Sequence, residues 1–361
     1  MEKPVLSVII PFYKGMKYIK RTVEYVEKLK ASKEILIIDD GSGDEDYNAL
    51  KECYGDTESV RLFTKKNGGI VDARNFGSKL AVGDYLFFVD QDDIVVPEVI
   101  DKALCKAIDL NLDAVFWSTE MLFKEKRPNR KCDTVNIDVV LQQNAIREQV
   151  LKQVLLHSES EYCSSFAHLW MGLYRNSFIK EKDICFKAFI NIEDDFLFLV
   201  DVMANANKLA LIPEVGYYWF QNRSSKSHKS TWIENYMDKS DNYRKYCLDV
   251  ARSVGYDEET LNKIERHYSQ LQISDAVMEW TRVPRGTTRT VEKRRILSAM
   301  KEKEAKGTFR ELLLGGDERV RITHSLIRKR HFELTFIYNK IWNYYFEFRK
   351  RAGAFIWGKL R

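Results

Sequence analysis

Three carboxylates fall within four residues at Asp90-Gln91-Asp92-Asp93, directly after the apolar run Tyr85–Val89. Acids crowded at the end of a buried strand are costly unless something cationic compensates them. A hard divalent ion does so, and Mg2+ or Mn2+ prefers one or two carboxylates together with phosphate oxygens. The alternative is an acidic loop that caps the helix starting at Pro97. Three more polar groups precede this one. Pro11-Phe12-Tyr13-Lys14 closes the first apolar run, where backbone groups and a tyrosine suit a nucleotide base, or simply form a strand-to-helix turn. Asp39-Asp40-Gly41-Ser42 closes the second, with carboxylates placed to accept from a base N–H or a ribose hydroxyl, or to cap the next helix. Asn67-Gly68-Gly69 precedes a helix, and paired glycines let backbone approach a ligand closely. Arg74 lies one turn into that helix, as a guanidinium within reach of phosphate or as a solvated surface group.

The elements that must position these groups follow from the apolar pattern. Residues 5–10, Glu34–Ile38, Val60–Phe63 and Tyr85–Val89 read as short buried strands. Helical patterns cover Lys17–Leu29, a segment from about Asp44, Ile70–Leu80 and Pro97–Leu110, the last with proline in its first turn. Strands and helices alternating at this spacing predict a parallel sheet with helices on both faces. In such sheets ligands bind outside the carboxyl ends of the strands, where all four polar groups fall. The absence of a GxGxxG loop argues against a dinucleotide-binding dehydrogenase. Beyond residue 112 the alternation loosens, although Asp113–Trp117, Leu209–Ile212 and Gly216–Phe220 read as strands and Asp194–Ala206 as a helix. After about Ser230 the pattern is helical and charged, which places a boundary near 230.

Composition narrows the class. The 361 residues are 45% hydrophobic and 31% charged, as in an ordinary globular protein. The six cysteines are scattered without a CxxC pair, which argues against a zinc site or disulfide framework and predicts a reducing, cytoplasmic setting. Met-Glu-Lys-Pro runs directly into a strand pattern, with no apolar leader, and no stretch approaches the length of a spanning helix. The net charge is +5, but the segment 328–361 alone carries nine Lys/Arg and two Asp/Glu, so the rest is slightly acidic. That distribution disfavours nucleic acid as a partner.

Taken in order, Ser7–Tyr13, Ile37–Ser42, Asn67-Gly68-Gly69, Ala73–Gly77 and Phe88–Asp93 resemble the signature of family 2 glycosyltransferases. The resemblance is clear over about residues 4–120 and weaker to about 230. It implies a GT-A fold, a Rossmann-like, mostly parallel central sheet with helices on both faces, followed here by a helical C-terminal extension. It further implies a nucleotide-diphosphate sugar donor and a Mg2+ or Mn2+ cofactor. By analogy Pro11, Tyr13, Asp39 and Arg74 contact the nucleotide, and Asp40 and Asn67 belong to the same site. Asp90 faces the ribose or sugar, and Asp92 holds the metal. Lys14 stands where the family often has asparagine, a change of little weight if the turn works through its backbone. Leu169–Arg175 and Asn191–Phe196 resemble the acceptor half of the family. An inverting transfer needs a base beside the acceptor hydroxyl. That role falls to Asp194, with Glu193 as its tuning neighbour and Asp195 as the alternative base. Acids that merely favour a helix start are the other reading. Gly216–His228 resembles the segment that closes over the donor diphosphate, where Arg223, Ser225, Lys226 and His228 are suitable donors.

The expected protein is therefore an inverting hexosyl- or N-acetylhexosaminyltransferase of cell-surface polysaccharide synthesis. It would use a UDP-linked donor and a glycan or lipid-linked glycan acceptor. Residues 1–230 would form the GT-A domain (1–120 the nucleotide-sugar half, 121–230 the acceptor half), and 231–361 a helical region. The rivals are a nucleotidyltransferase, whose glycine- and lysine-bearing loop is missing after the first strand, and a non-catalytic sugar- or partner-binding relative. The basic, aromatic tail at 328–361 fits a helix lying on the inner membrane surface. Packing on the catalytic domain, or on a second subunit in a homodimer, is the alternative.

Overall fold

The computed structural model describes residues 3–122, 130–158, 161–165, 168–187, 189–190, 194–220, 232–283, 286–311 and 318–358. The chain divides into two compact units, Met1–His228 and Lys229–Arg361.

The first unit is built on strands β1 (Leu6–Phe12), β2 (Lys33–Asp39), β3 (Val60–Thr64), β4 (Tyr85–Phe88), β5 (Ile94–Val95), β6 (Ala114–Leu122), β7 (Arg130–Lys131), β8 (Thr134–Val135), β9 (Val139–Gln142), β10 (Cys163–Ser165), β11 (Gly172–Arg175) and β12 (Lys208–Phe220). Its helices are α1 (Met16–Glu27), α2 (Asp44–Tyr54), α3 (Ile70–Leu80), α4 (Pro97–Asp109), α5 (Gln143–Ala145), α6 (Lys152–Leu155), α7 (Asn176–Glu181) and α8 (Asp194–Asn205), with a π-helical turn Ile146–Leu151 joining α5 to α6. The main sheet runs β3-β2-β1-β4-β11-β6-β12-β5, with β7 added beside β6 and β9 beside β12. β8 and β10 form a separate pair.

Strands β1 and β4 are buried along their whole length and β2 at all but its first residue, as continuous apolar runs predict. From β3 to β4 all pairs are parallel. The sheet then becomes mixed, because β11 inserts antiparallel between β4 and β6, while β6 and β12 pair parallel. The expectation of two strands at Leu209–Ile212 and Gly216–Phe220 is corrected here. β12 is one strand of 13 residues whose register shifts between Ile212 and Val215 and again before Tyr217. Pro213 lies inside that irregularity, where a missing N–H is tolerated. Helix α3 lies so close to β1 that a Cβ on Gly77 would meet Ile9 Cγ2 at 2.5 Å. Glycine at the end of Ala73–Gly77 is thus what lets Arg74 sit over the strand ends.

The second unit contains α9 (Tyr236–Ser253), α10 (Glu258–Arg282), α11 (Thr287–Ala305), α12 (Glu318–Arg328) and α13 (Phe332–Gly358). Asp257 caps α10 by accepting from Thr260 N–H at 2.7 Å. Among the described residues no helix is long and apolar enough to cross a membrane. Helix α13 buries Phe336 and Asn339 and leaves Leu334, Ile337, Ile341, Tyr344, Tyr345 and Phe348 exposed, three or four residues apart on one face.

Candidate active site

The carboxyl ends of β1, β2, β3 and β4 carry the four polar groups, and a set of hydrogen bonds knits them together. Gln91 reaches from the loop after β4 to the end of β1, accepting from Tyr13 N–H at 2.9 Å and donating to Tyr13 C=O at 3.3 Å. Lys14, at φ 50°, donates its N–H to Ser42 Oγ at 3.0 Å. Pro11 is buried within β1. Asp39 is buried, its oxygens accepting from Ser42 N–H at 3.0 Å and Thr64 Oγ1 at 2.7 Å. Asp40 organises the glycine loop, accepting from Gly68 N–H at 2.9 Å, Gly69 N–H at 2.8 Å and Lys65 Nζ at 2.7 Å. Asn67 Nδ2 donates to the Asp40 carbonyl at 2.7 Å. The two acids therefore shape the loops locally. Gly43 occupies the cap of α2, and neither acid caps that helix.

The loop Asp90–Asp93 is pinned from both sides. On one, Thr22 Oγ1 bonds the carbonyls of Gln91 (3.0 Å) and Asp93 (2.9 Å), and Arg21 donates to the carbonyl of Asp92 at 2.5 Å. On the other, Asp93 is almost fully buried and accepts from Tyr217 Oη at 2.7 Å and Phe220 N–H at 2.8 Å. The same tyrosine hydroxyl accepts from Asp90 N–H at 3.1 Å. Burial, together with the charges of Asp90 and Asp92, holds the Asp93 carboxyl well above the usual carboxylate range. Asp93 thus ties the loop to β12. The cap position of α4 is Val96, which has no side-chain oxygen to offer. Among the described residues no three His, Cys, Asp or Glu side chains form a ready-made metal cluster. A cation that shares its sphere with phosphates needs only one or two carboxylates, and Asp92, partly exposed beside Asp90, fits that mode.

The centre of the site is Arg74. Its guanidinium is buried, and it donates to Asp90 at 3.0 Å, to Asp194 at 2.7 Å and to Asp195. Among the described residues, buried Arg74 Nε has no hydrogen-bond partner. Phe186 lies under the guanidinium, 5.5 Å from the ring centre. One cation thus joins the loop after β4 to the first turn of α8. Burial opposes the Arg74 charge, but the three carboxylates outweigh it and hold its pKa above the ordinary value. Burial raises Asp90 against the pull of Arg74. For Asp194 burial and the neighbouring Asp195 outweigh Arg74, and its carboxyl is pushed up to about 6. A carboxylate ionising there suits proton abstraction near neutral pH.

The start of α8 is set by an aromatic cluster beneath it. Phe186 stacks on Phe198 at 4.4 Å, and Phe88 and Tyr174 meet Phe198 edge-on at 5.7 and 5.1 Å. Asn75, next to Arg74, exchanges two hydrogen bonds with the Phe186 backbone, at 2.9 and 3.0 Å. Of the expected site residues, Arg74, Asp90 and Asp194 meet in one cluster, with Asp195 as a fourth member. Pro11, Tyr13, Asp39, Asp40 and Asn67 line the adjoining strand ends. Glu193, Arg223 and Ser225 lie outside the described residues, as do Lys226 and His228. Reasoning from sequence missed Asn75, Tyr217, Asp133 and His168. Asn75 lay inside the quoted motif Ala73–Gly77 and Tyr217 inside Gly216–His228, whereas Asp133 and His168 lay in none. A groove lined by Lys3, Asp84, Tyr85, Arg175 and Lys180 sits at the amino end of β4 and holds none of the site groups.

Residues 7–178 match the family model described as Glycosyl transferase family 2. The uncharacterized glycosyltransferase YibD of Escherichia coli K12 is 26% identical over 266 residues, covering 73% of this chain and 72% of YibD. The poly(ribitol-phosphate) beta-N-acetylglucosaminyltransferase TarS of Staphylococcus aureus is 25% identical over 274 residues, 73% of this chain but 44% of TarS. This chain therefore spans less than half of that relative's length. Among solved structures, S. aureus TarS 1–349 in complex with UDP-GlcNAc superposes with a TM-score of 0.65 at 17% identity, covering 94% of this chain and 91% of that one. The architecture of mixed sheet, flanking helices and helical C-terminal region is thus that of the GT-A fold of TarS.

Proposed function

Because residues 7–178 belong to glycosyltransferase family 2, we propose that this glycosyltransferase moves a sugar from a UDP-linked donor to a hydroxyl of a glycan or lipid-linked glycan, with inversion. The observation that carries this reading is the Arg74 cluster, in which one guanidinium holds Asp90 of the donor side and Asp194 of α8. A donor loop and a candidate base are thereby set in one place. The choice of UDP draws on TarS, whose similar structures are complexes with UDP-GlcNAc and UDP.

In this reading the loops after β1, β2 and β4 bind the nucleotide and exclude water from it. Asp194 takes the proton of the acceptor hydroxyl as its oxygen attacks the anomeric carbon. The bond to the diphosphate breaks on the opposite face, so a single displacement inverts the configuration. Asp195, held by Arg74 and by Leu169 N–H at 3.4 Å, orients the pair. Glu193 is assigned the role of tuning Asp194, and Arg223 and Ser225 that of donors to the diphosphate. Asp92 would hold Mg2+ or Mn2+ with the donor phosphates, which would offset charge on the leaving diphosphate. We place the enzyme in the cytoplasm, where the exposed face of α13 and the basic residues around it rest on an anionic membrane surface. Loss of liposome co-sedimentation on deleting 328–361 is expected, and unchanged binding would remove that contact.

A thermal-shift panel of UDP, GDP, dTDP and CMP with and without Mn2+ tests the donor site. Stabilisation by UDP, strengthened by metal and lost in Asp92→Ala, is the expected result. No shift with any nucleotide would favour a non-catalytic relative.

A further inference from the structure

On the far side of Asp195 from the nucleotide loops stands a second polar group. Asp133 is fully buried just before β8, and a carboxylate there needs partners. It accepts from Thr119 Oγ1 at 3.1 Å and lies 2.7 Å from His168 Nδ1. Because a carboxylate only accepts, Nδ1 carries the hydrogen and the ring orientation is fixed. Nε2 of His168 has no partner among the described residues, and the side chain is 31% exposed. The imidazole stacks on Trp170 at 4.6 Å and 22°, and Trp170 on Tyr217 at 5.6 Å and 21°. Tyr217 is the residue whose hydroxyl holds the Asp90–Asp93 loop. A continuous stack therefore leads from Asp133 to that loop. Trp219, partly exposed, is tilted against both His168 and Trp170, at 6.0 and 6.2 Å. The residue after His168, Leu169, donates its N–H to Asp195 at 3.4 Å.

The order of strands says which substrate this face meets. The nucleotide loops follow β3, β2, β1 and β4, whereas Asp133, His168 and Trp219 belong with β6, β11 and β12, on the other side of β4. A group that adjoins the base on that side faces the molecule whose hydroxyl is deprotonated. Its make-up, an aromatic surface with one fixed nitrogen, matches a sugar ring, which offers an apolar C–H face and hydroxyls around its edge. We propose that His168 and Trp219 form the subsite for the sugar ring of the acceptor, with Nε2 of His168 hydrogen-bonding one of its oxygens and Asp133 as the positioning residue. This rests on the glycosyl-transfer reading above. Burial works against a charge on the imidazole, but the Asp133 carboxylate, with Asp195 and Asp90 beyond it, holds its pKa above the ordinary value. When the ring is protonated, Nε2 is a charge-assisted donor, and when it is neutral, Nε2 accepts.

The test uses the full chain with UDP-GlcNAc and a panel of p-nitrophenyl glycosides (glucoside, galactoside, N-acetylglucosaminide) as acceptor probes. UDP affinity is measured in parallel by calorimetry. His168→Ala is expected to raise the acceptor KM about 10- to 100-fold, the loss of one hydrogen bond to a charged group, with UDP affinity unchanged within about twofold. His168→Gln, whose amide nitrogen falls near the position of Nε2, is expected to recover most of that loss. Trp219→Ala is expected to raise the same KM. An acceptor KM that stays put in His168→Ala, or UDP affinity that falls in step with it, overturns the proposal. So does a wild type that binds UDP yet accepts no glycoside of the panel. A wild type that binds no UDP fails the glycosyl-transfer reading instead.

Discussion

The strand ends β1, β2 and β4 and the face built from β6, β11 and β12 hold their functional groups in different ways. In the first, the acids after β2 bond backbone N–H groups of the strand-end loops. Asp39 holds Ser42, three residues on, and Asp40 holds Gly68 and Gly69 at the start of α3. In the second, and between the two, the bonds join side chains of separate segments. Asp93 and Tyr217 are 124 residues apart, Arg74 and Asp194 are 120, and Asp133 and His168 are 35. Bonds to backbone shape the loops, and side-chain pairs join the separate segments into one site. The base lies where the two regimes meet, at Arg74.

Substitutions can sharpen this contrast. The largest effect is expected at Asp194→Asn, which removes the base. The predicted loss in kcat is about 10²- to 10⁴-fold, or roughly 3–5 kcal/mol of transition-state stabilisation, with UDP affinity kept. Asp195→Asn should cost less, and the reverse order would reassign the base. Next is Tyr217→Phe, which strips a hydroxyl from both the Asp93 carboxyl and Asp90 N–H. A stability loss of about 3 kcal/mol is expected in chemical denaturation. A change below about 0.5 kcal/mol would mean that the long-range tie carries no weight. The smallest effect is expected at Gly77→Ala. The new Cβ must displace Ile9 Cγ2, 2.5 Å away, which costs about 2 kcal/mol. Helix propensity returns about 1, so a net loss of about 1 kcal/mol should appear in the same assay. A stabilised variant would show that α3 can move off β1 freely.

The same contrast explains what the sequence made legible. The strand-end groups could be read because each follows an apolar run and occupies a few consecutive residues, and the fold of strands β1 to β4 came with them. Asp90 and Asp92 were proposed this way, whereas Asp194 came from the resemblance of Asn191–Phe196 to the family. His168 gave no signal in the sequence, because Asp133 lies on another segment and no periodicity links them. Asp93 read as one more acid of a metal loop, whereas the fold commits it to Tyr217. The insertion of β11 between β4 and β6 was equally hidden. Its four residues, Gly172–Arg175, carry no pattern that fixes strand direction. Leu209–Ile212 and Gly216–Phe220 read as two strands, but a shift of register carries β12 through Pro213.

The central claim is that a carboxylate raised by burial beside Arg74 is the base, and the dependence of kcat on pH tests it most directly. Asp194 must be ionised to accept a proton, and burial lifts its carboxyl to about 6. Activity should therefore fall as pH drops through that value, about tenfold per unit below it. The residual activity of Asp194→Asn should lack this limb. A wild-type profile flat between about pH 5 and 8, or the same limb in Asp194→Asn, would contradict the account.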